Sequence, residues 1–289
     1  MRFVTALMAM CQLSMAQSTD SAKYQRWADL MDTAGYTWEA FDVTTEDDYI
    51  LTVFHITGTK DGGMFTPTKE PVLIQHGLKM DAASWIQDYS EAPFYYTEGK
   101  PMPLQLADLG YDVWMGNNRG TEYSQGHKTL TLDDKAYWNW TWAEMGLYDT
   151  PATITEIKKQ TGVDKIFYVG YSQGTVQIFY GLAHLEESFY ADNLLKVVTL
   201  APCFVASMLA DIELSVVEQL EDHGIYSFMG PHWDENLKQI CDEFGFVACQ
   251  AFKLSSGQAY SVRDDLHWAY NNEQQRFQEF APEYVQGKT

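Results

Sequence analysis

The 289-residue chain is 46% hydrophobic and 20% charged, an ordinary globular composition, and is long enough for one large core or a core with a subordinate lobe. Its formal charge of −21 argues against nucleic acid and anionic membrane surfaces as partners, because both need positive charge on the protein. Residues 1–16 read as a secretory signal: Arg2, an apolar run from Phe3 to Leu13, then Ser14-Met15-Ala16, with small residues placed for cleavage before Gln17. That run is too short for a membrane anchor, and no other apolar stretch is long enough to span a bilayer. The expected localisation is therefore secreted, or the lumen of a lysosome-like compartment.

Tyr24 to Met31 begins a helix, and Gly35-Tyr36-Thr37 opens an extended segment. Phe41 to Ile56 predicts two strands around a turn at Glu46-Asp47-Asp48, with a surface loop from Gly58 to Thr68. Pro71 to Gln75 is an apolar strand ending in His76-Gly77-Leu78. A flexible His-Gly turn directly after such a strand is where an α/β-hydrolase builds half of its oxyanion hole, a task for backbone N–H groups. His76 itself is read as a packed histidine bonded to the backbone rather than as a base. Leu104 to Gly110 ends a helix, Tyr111 to Met115 is a strand, and Gly116 to Gly120 is a polar loop at its C-terminal end. Arg119 in that loop is read as a cation holding a carboxylate in place.

Tyr137 to Trp142 is aromatic-dense and contains a formal glycosylation sequon, Asn139-Trp140-Thr141. A helix follows within Glu144 to Thr161, with Asp149-Thr150-Pro151 as its expected cap and first turn and Ile154 and Ile157 on its buried face. Then comes the most informative stretch. Ile166 to Val169 is a short buried strand, Gly170 to Gly174 is a tight Gly-x-Ser-x-Gly turn, and Gly174 to Phe189 has helical periodicity. This is a nucleophile-elbow arrangement, with Ser172 at the apex of a strained turn. The N-terminus of the following helix faces the serine and favours an oxyanion there. Leu194 to Leu200 is the next strand, closed by Ala201-Pro202.

The rhythm from 71 to 202 predicts an α/β fold, a mostly parallel central sheet with helices on both faces. Beyond Cys203 the expectation is all-helical, with patterns over Ser207 to Gln219, Asn236 to Cys249 and Ser261 to Phe280 and a turn at Met229 to Trp233, together forming a cap or lid. The expected division is residues 1–16 signal, 17–202 hydrolase core, 203–270 helical cap and 271–289 the start of a return to the core. Once the signal is removed, Cys203, Cys241 and Cys249 remain. Cys241 with Cys249 would close a small loop and leave Cys203 free. None lies in a Cys/His cluster, so no metal is expected.

Read together, Gly35-Tyr36, Glu46 to Leu51, Gln75 to Leu78, Leu109 to Gly120, Glu144-Met145, Tyr148-Asp149, Pro151 to Ile154 and Tyr168 to Thr175 resemble the acid lipase family. This is the secreted α/β-hydrolase group of gastric and lysosomal lipases and sterol esterases. Leu266-His267-Trp268 is a weaker echo of the motif closing the family's cap, and Cys241 and Cys249 fall where some members carry a cap disulfide. The resemblance implies Ser172 as nucleophile, the backbone N–H groups of Leu78 and Gln173 as the oxyanion hole, and a cofactor- and calcium-independent esterase acting on lipid or small esters, with a lipid–water interface as a partner. Two departures accompany it. Tyr171 stands where the family has His, and the family continues past the point matching Thr289, through the last strands of the sheet, where its triad Asp and His lie.

Downstream of Ser172 the chain has His184, His223, His232 and His267, none of them after a sheet strand. A His232 pair with Asp234 or Asp211 is the least unfavourable improvised base, and the triad Asp and His are not identified in this chain. The alternative reading is a catalytically incomplete fragment or a lipid-binding pseudoenzyme of the same family. On either reading, missing strands would leave a sheet edge and apolar surface exposed.

Overall fold

The structure, a computed structural model, describes residues 22–86, 100–203, 220, 224, 225, 227, 228, 235–242, 260 and 261. The chain enters through helix α1 (Gln25–Ala34) and the antiparallel strands β1 (Tyr36–Thr44) and β2 (Tyr49–Thr59). The expected surface loop after β2 contains a short returning strand, β3 (Gly63–Met64), which pairs with the end of β2. Strand β4 (Pro71–Gln75) follows, then α2 (Met102–Asp108), β5 (Asp112–Met115) and the two-residue β6 (Gly126–His127). After these come α3 (Trp142–Glu144), α4 (Thr150–Thr161), β7 (Ile166–Tyr171), α5 (Gln173–His184), α6 (Glu187–Asn193) and β8 (Leu194–Leu200).

The main sheet runs β1-β2-β5-β4-β7-β8; β1, β2 and β5 pair antiparallel, and β5, β4, β7 and β8 pair parallel. Strand β4 is central and buried at all five positions, so it needs no polar alternation: helices cover both of its faces. Alternate residues feed two separate cores. Leu73, Trp114, Tyr168, Leu51 and Val53 face a layer with Ile154 and Ile157 of α4 and Val176 and Ile178 of α5. Val72, Ile74, Val113, Met115, Phe54 and Ile56 face Trp27 and Met31 of α1 and Leu104 and Ala107 of α2. Trp27 and Met31 are one helical turn apart, and the Trp27 ring stacks on Phe54 with centroids 4.3 Å apart. Burial of each large aliphatic or aromatic side chain here is worth about 1.5–3 kcal/mol.

Three expectations change. Asp149 does not cap a helix: its backbone is helical (φ −67°, ψ −52°), and the chain is helical from Trp142 to Thr161 through a π-helical segment at Met145–Asp149. The cap is Thr141, whose Oγ1 accepts from the Ala143 N–H while Glu144 accepts from the Thr141 N–H. Asp149 is thereby released to bind Arg119. The helix behind the elbow ends at His184, and a second helix, α6, carries Phe189. Finally, the region after Cys203 is not all-helical. Strands β9 (Ser227–Phe228) and β10 (Tyr260–Ser261) pair antiparallel as a separate sheet, and residues 235–242 are helical. Such short strands carry too few residues to show alternation. The expected helices at 207–219 and 261–280, the turn at 229–233 and residues 1–16 fall mainly or wholly outside the described residues. Among the described residues β8 is an edge of the main sheet, with Leu195 and Val198 exposed on it.

Candidate active site

Ser172 sits between β7 and α5 with φ 49° and ψ −114°, a left-handed backbone that a non-glycine residue holds only under constraint from its surroundings. That constraint is visible. The Ser172 N–H donates to the Leu200 carbonyl on the neighbouring strand at 3.0 Å. Its carbonyl accepts from the Thr175 N–H at 2.8 Å and from the Thr175 hydroxyl at 2.6 Å. Strand and helix also approach too closely for side chains. A Cβ on Gly174 would lie 2.8 Å from the Gln75 carbonyl oxygen and 2.9 Å from that of His76. The two glycines of the elbow are therefore steric requirements, and Tyr168 ties the turn down by donating to the Gly174 carbonyl at 2.7 Å.

The loop after β4 passes directly over this turn. A Cβ on Gly77 would lie 3.1 Å from Ser172 Cβ and 3.1 Å from the Tyr171 ring. Leu78, the next residue, is half-buried at the same place, and Gln173 opens α5 as a buried residue. The structure thus brings Ser172, Leu78 and Gln173 into one locality. Tyr171 is half-buried on the loop side and packs edge-on against Trp85, with centroids 5.8 Å apart.

His76 is buried and bonded at both nitrogens. Nε2 accepts from the Asn118 N–H at 3.0 Å, which leaves Nδ1 to donate to the Gly77 carbonyl at 2.8 Å. Burial pushes its pKa down, consistent with this neutral tautomer. The other described histidines are also engaged away from Ser172. His55 binds Asp112, His127 Nδ1 accepts from the Thr129 and Leu130 N–H groups, and His184 lies exposed at the far end of α5 against Tyr180. His223, His232 and His267, with Asp211 and Asp234, lie outside the described residues.

Among the described residues, the side chain that meets the Ser172 hydroxyl is Cys203, with Sγ 3.7 Å from Oγ. Cys203 is half-buried and a free thiol, and its N–H donates to Thr175 Oγ1 at 3.1 Å. The one sequence signal for this contact was topological: Cys203 follows β8, the strand beside the elbow strand.

Arg119 is 1% exposed and holds two carboxylates. Nε and Nη2 reach Asp149 Oδ1 at 2.9 and 2.6 Å, and Nη1 and Nη2 reach Asp47 at 2.6 and 2.9 Å. The guanidinium also lies 4.0 Å from the Tyr49 ring centroid. Burial works to lower its pKa, but Asp149 and Asp47 together raise it, so the cation is permanent. The expected structural role holds. Asn139 is exposed in the aromatic segment, while Thr141 of the same sequon is buried as the helix cap. Cys203 is a free cysteine, and Cys249 lies outside the described residues.

Comparison with known proteins agrees with this geometry. Residues 70–223 match the family described as alpha/beta hydrolase fold, and residues 27–89 match the partial alpha/beta-hydrolase lipase region. The chain is 30% identical over 276 residues to gastric triacylglycerol lipase of Rattus norvegicus, covering 85% of this chain and 67% of that protein. The chain belongs to the acid lipase family of α/β-hydrolases. Other relatives of this acid lipase family member include triacylglycerol lipase 2 of Arabidopsis thaliana, 38% identical over 180 residues and covering 62% of this chain and 40% of that protein. Human lysosomal acid lipase/cholesteryl ester hydrolase is 28% identical over 277 residues, covering 85% of this chain and 66% of that protein. The chain thus spans about two fifths of the length of the Arabidopsis relative and about two thirds of the other two.

Proposed function

We propose that this acid lipase family member is a serine ester hydrolase acting on lipid esters, with Ser172 as its nucleophile. The observation that carries the reading is the strained Ser172 backbone held between β7 and α5, beneath a loop that approaches it within van der Waals contact at Gly77. Ser172 Oγ gives its proton to a general base as it attacks the ester carbonyl, forming a C–O bond and a tetrahedral oxyanion, which the N–H groups of Leu78 and Gln173 receive. Collapse expels the alcohol, which takes up a proton, and leaves an acyl-enzyme that water hydrolyses to the free acid. The N-terminus of α5 adds favourable potential at the oxyanion. The acid and base of this cycle are not assigned to any described residue.

Lipid esters are favoured over other esters by the names of the relatives, which act on triacylglycerol and cholesteryl esters. Residues 203–270 are read as the cap that faces a lipid–water interface, and the chain as secreted or lysosomal. A Cys241–Cys249 disulfide in the cap is supported by the absence of Cys241 from the free thiols. Glycan attachment at Asn139 is supported by its exposure.

The test is Ser172→Ala assayed on a long-chain p-nitrophenyl ester. Loss of hydrolysis with retained vesicle binding is the expected result, and unchanged turnover would remove Ser172 from the mechanism.

A further inference from the structure

We propose that Arg26, acting through Asp81, is a positioning residue for the loop that carries Leu78. This rests on the reading of Leu78 as an oxyanion donor. The loop from His76 to Asp81 has little structure of its own: Lys79 is left-handed (φ 59°), and the one turn bond described within it, from the Met80 N–H to the Gly77 carbonyl, is 3.3 Å long. What holds its two ends therefore bears directly on where Leu78 lies.

At the first end, the His76 ring accepts from the Asn118 backbone, and Gln75 donates to the Asn118 side chain at 2.8 Å. At the second end, the Ala82 N–H donates to Asn117 Oδ1 at 2.9 Å. Between Leu78 and this second anchor stands Asp81, whose side chain is 0% exposed. Asp81 Oδ1 accepts from the Ser84 N–H and hydroxyl, both at 3.0 Å, closing a capping box at the start of the short 3-10 helix Ala82–Trp85. Its other oxygen, Oδ2, is bonded by Nη2 of Arg26, which reaches across from α1.

A buried carboxylate retains its place only while a cation compensates it. Arg26 is that cation. It is also the group that separates Asp81 from a second carboxylate, since Arg26 Nε lies 3.3 Å from Glu122. The guanidinium is itself placed by the Tyr123 ring, 5.7 Å away. Removing Arg26 sets two carboxylates facing each other and drives Asp81 toward solvent, moving the end of the loop three residues from the Leu78 N–H. Misplacing a catalytic donor in this way lowers the rate of the chemical step without altering substrate binding elsewhere.

The experiment measures the rate of phosphonylation of Ser172 by a fluorophosphonate, together with kcat and KM on a soluble short-chain ester, using the full-length protein. In the probe reaction Ser172 Oγ loses its proton and bonds to phosphorus, fluoride leaves, and the phosphoryl oxygen occupies the oxyanion position. Arg26→Ala is expected to slow phosphonylation and kcat by about 10- to 100-fold with KM unchanged. Arg26→Lys should restore much of the rate. Asp81→Asn keeps the cap acceptor but loses the ion pair, and should slow the reaction without adding to the effect of Arg26→Ala in the double variant. The proposal is overturned if Arg26→Ala reacts at the wild-type rate. It is also overturned if the loss is only a smaller titratable fraction reacting at that rate, which is unfolding rather than mispositioning. A wild-type protein that does not react at Ser172 would overturn the ester hydrolase reading and this proposal together, whereas a reactive wild type with unaltered variants overturns the proposal alone.

Discussion

Cys203 Sγ lies 3.7 Å from Ser172 Oγ, so a free thiol and the candidate nucleophile share one side of the elbow. A group attached to the sulfur would sit beside the serine hydroxyl, where an ester carbonyl has to approach. Alkylation of Cys203 with N-ethylmaleimide is therefore expected to block fluorophosphonate labelling of Ser172. Cys203→Ser, which keeps the size and loses the reactivity, should label normally after the same treatment. Intact-mass measurement reads both adducts in one experiment, and a protein carrying both would sink the prediction.

The glycines around the serine make a second prediction. A Cβ on Gly174 would press on two backbone carbonyls of β4 and its exit, at 2.8 and 2.9 Å, and backbone cannot rotate away. A Cβ on Gly77 would meet Ser172 Cβ and the Tyr171 ring at 3.1 Å, where the ring can yield by a few tenths of an ångström. Gly174→Ala is therefore expected to destabilise by about 1–3 kcal/mol or more, and Gly77→Ala by less. The activity losses should run the other way relative to stability, because Gly77 lies in the loop above the nucleophile. Urea midpoints paired with kcat for the two variants decide the order.

The elbow was legible in the sequence because its constraint is local. Strand, turn and helix are contiguous, and the Gly-x-Ser-x-Gly spacing marks the turn, although the backbone that makes Gly174 necessary, that of Gln75 and His76, lies about 100 residues earlier. The same holds for β4 and β5, whose apolar runs report burial on both faces. What the sequence hid depends on contacts between distant segments. Asp149 looks like a helix cap because Thr150-Pro151 follow it, yet Arg119, 30 residues earlier, takes its carboxylate, and Thr141 caps the helix instead. Arg26 and Asp81 are 55 residues apart, and neither has a local signature. The β9–β10 pair is two residues long on each side, below the length at which alternation can be read.

The Arg119 cluster yields a stability prediction. Asp149 is 4% exposed and Arg119 1%, so removing the guanidinium strands a buried carboxylate. Arg119→Met is expected to cost about 3–5 kcal/mol, while the double variant with Asp149→Leu should recover a large part of that loss. Were Arg119 a substrate-steering group, the single variant would keep its urea midpoint and lose kcat/KM instead.

Asp47, at the exposed side of the same cluster, sets a pH dependence. Burial works to raise its carboxyl, but the hydrogen bonds and charge of Arg119 outweigh this and hold it below its ordinary value. A carboxylate depressed in the folded state contributes stability above its unfolded value, near about 4, and loses that contribution as pH falls through the folded value. Asp47→Asn should therefore lower the melting temperature at pH 7, and the gap from wild type should close below about pH 4. Melting curves of the two proteins at pH 7, 5 and 3 check this. A gap that stays constant across that range would mean that the Asp47 oxygens act only as neutral hydrogen-bond acceptors, and that its charge contributes nothing to the fold.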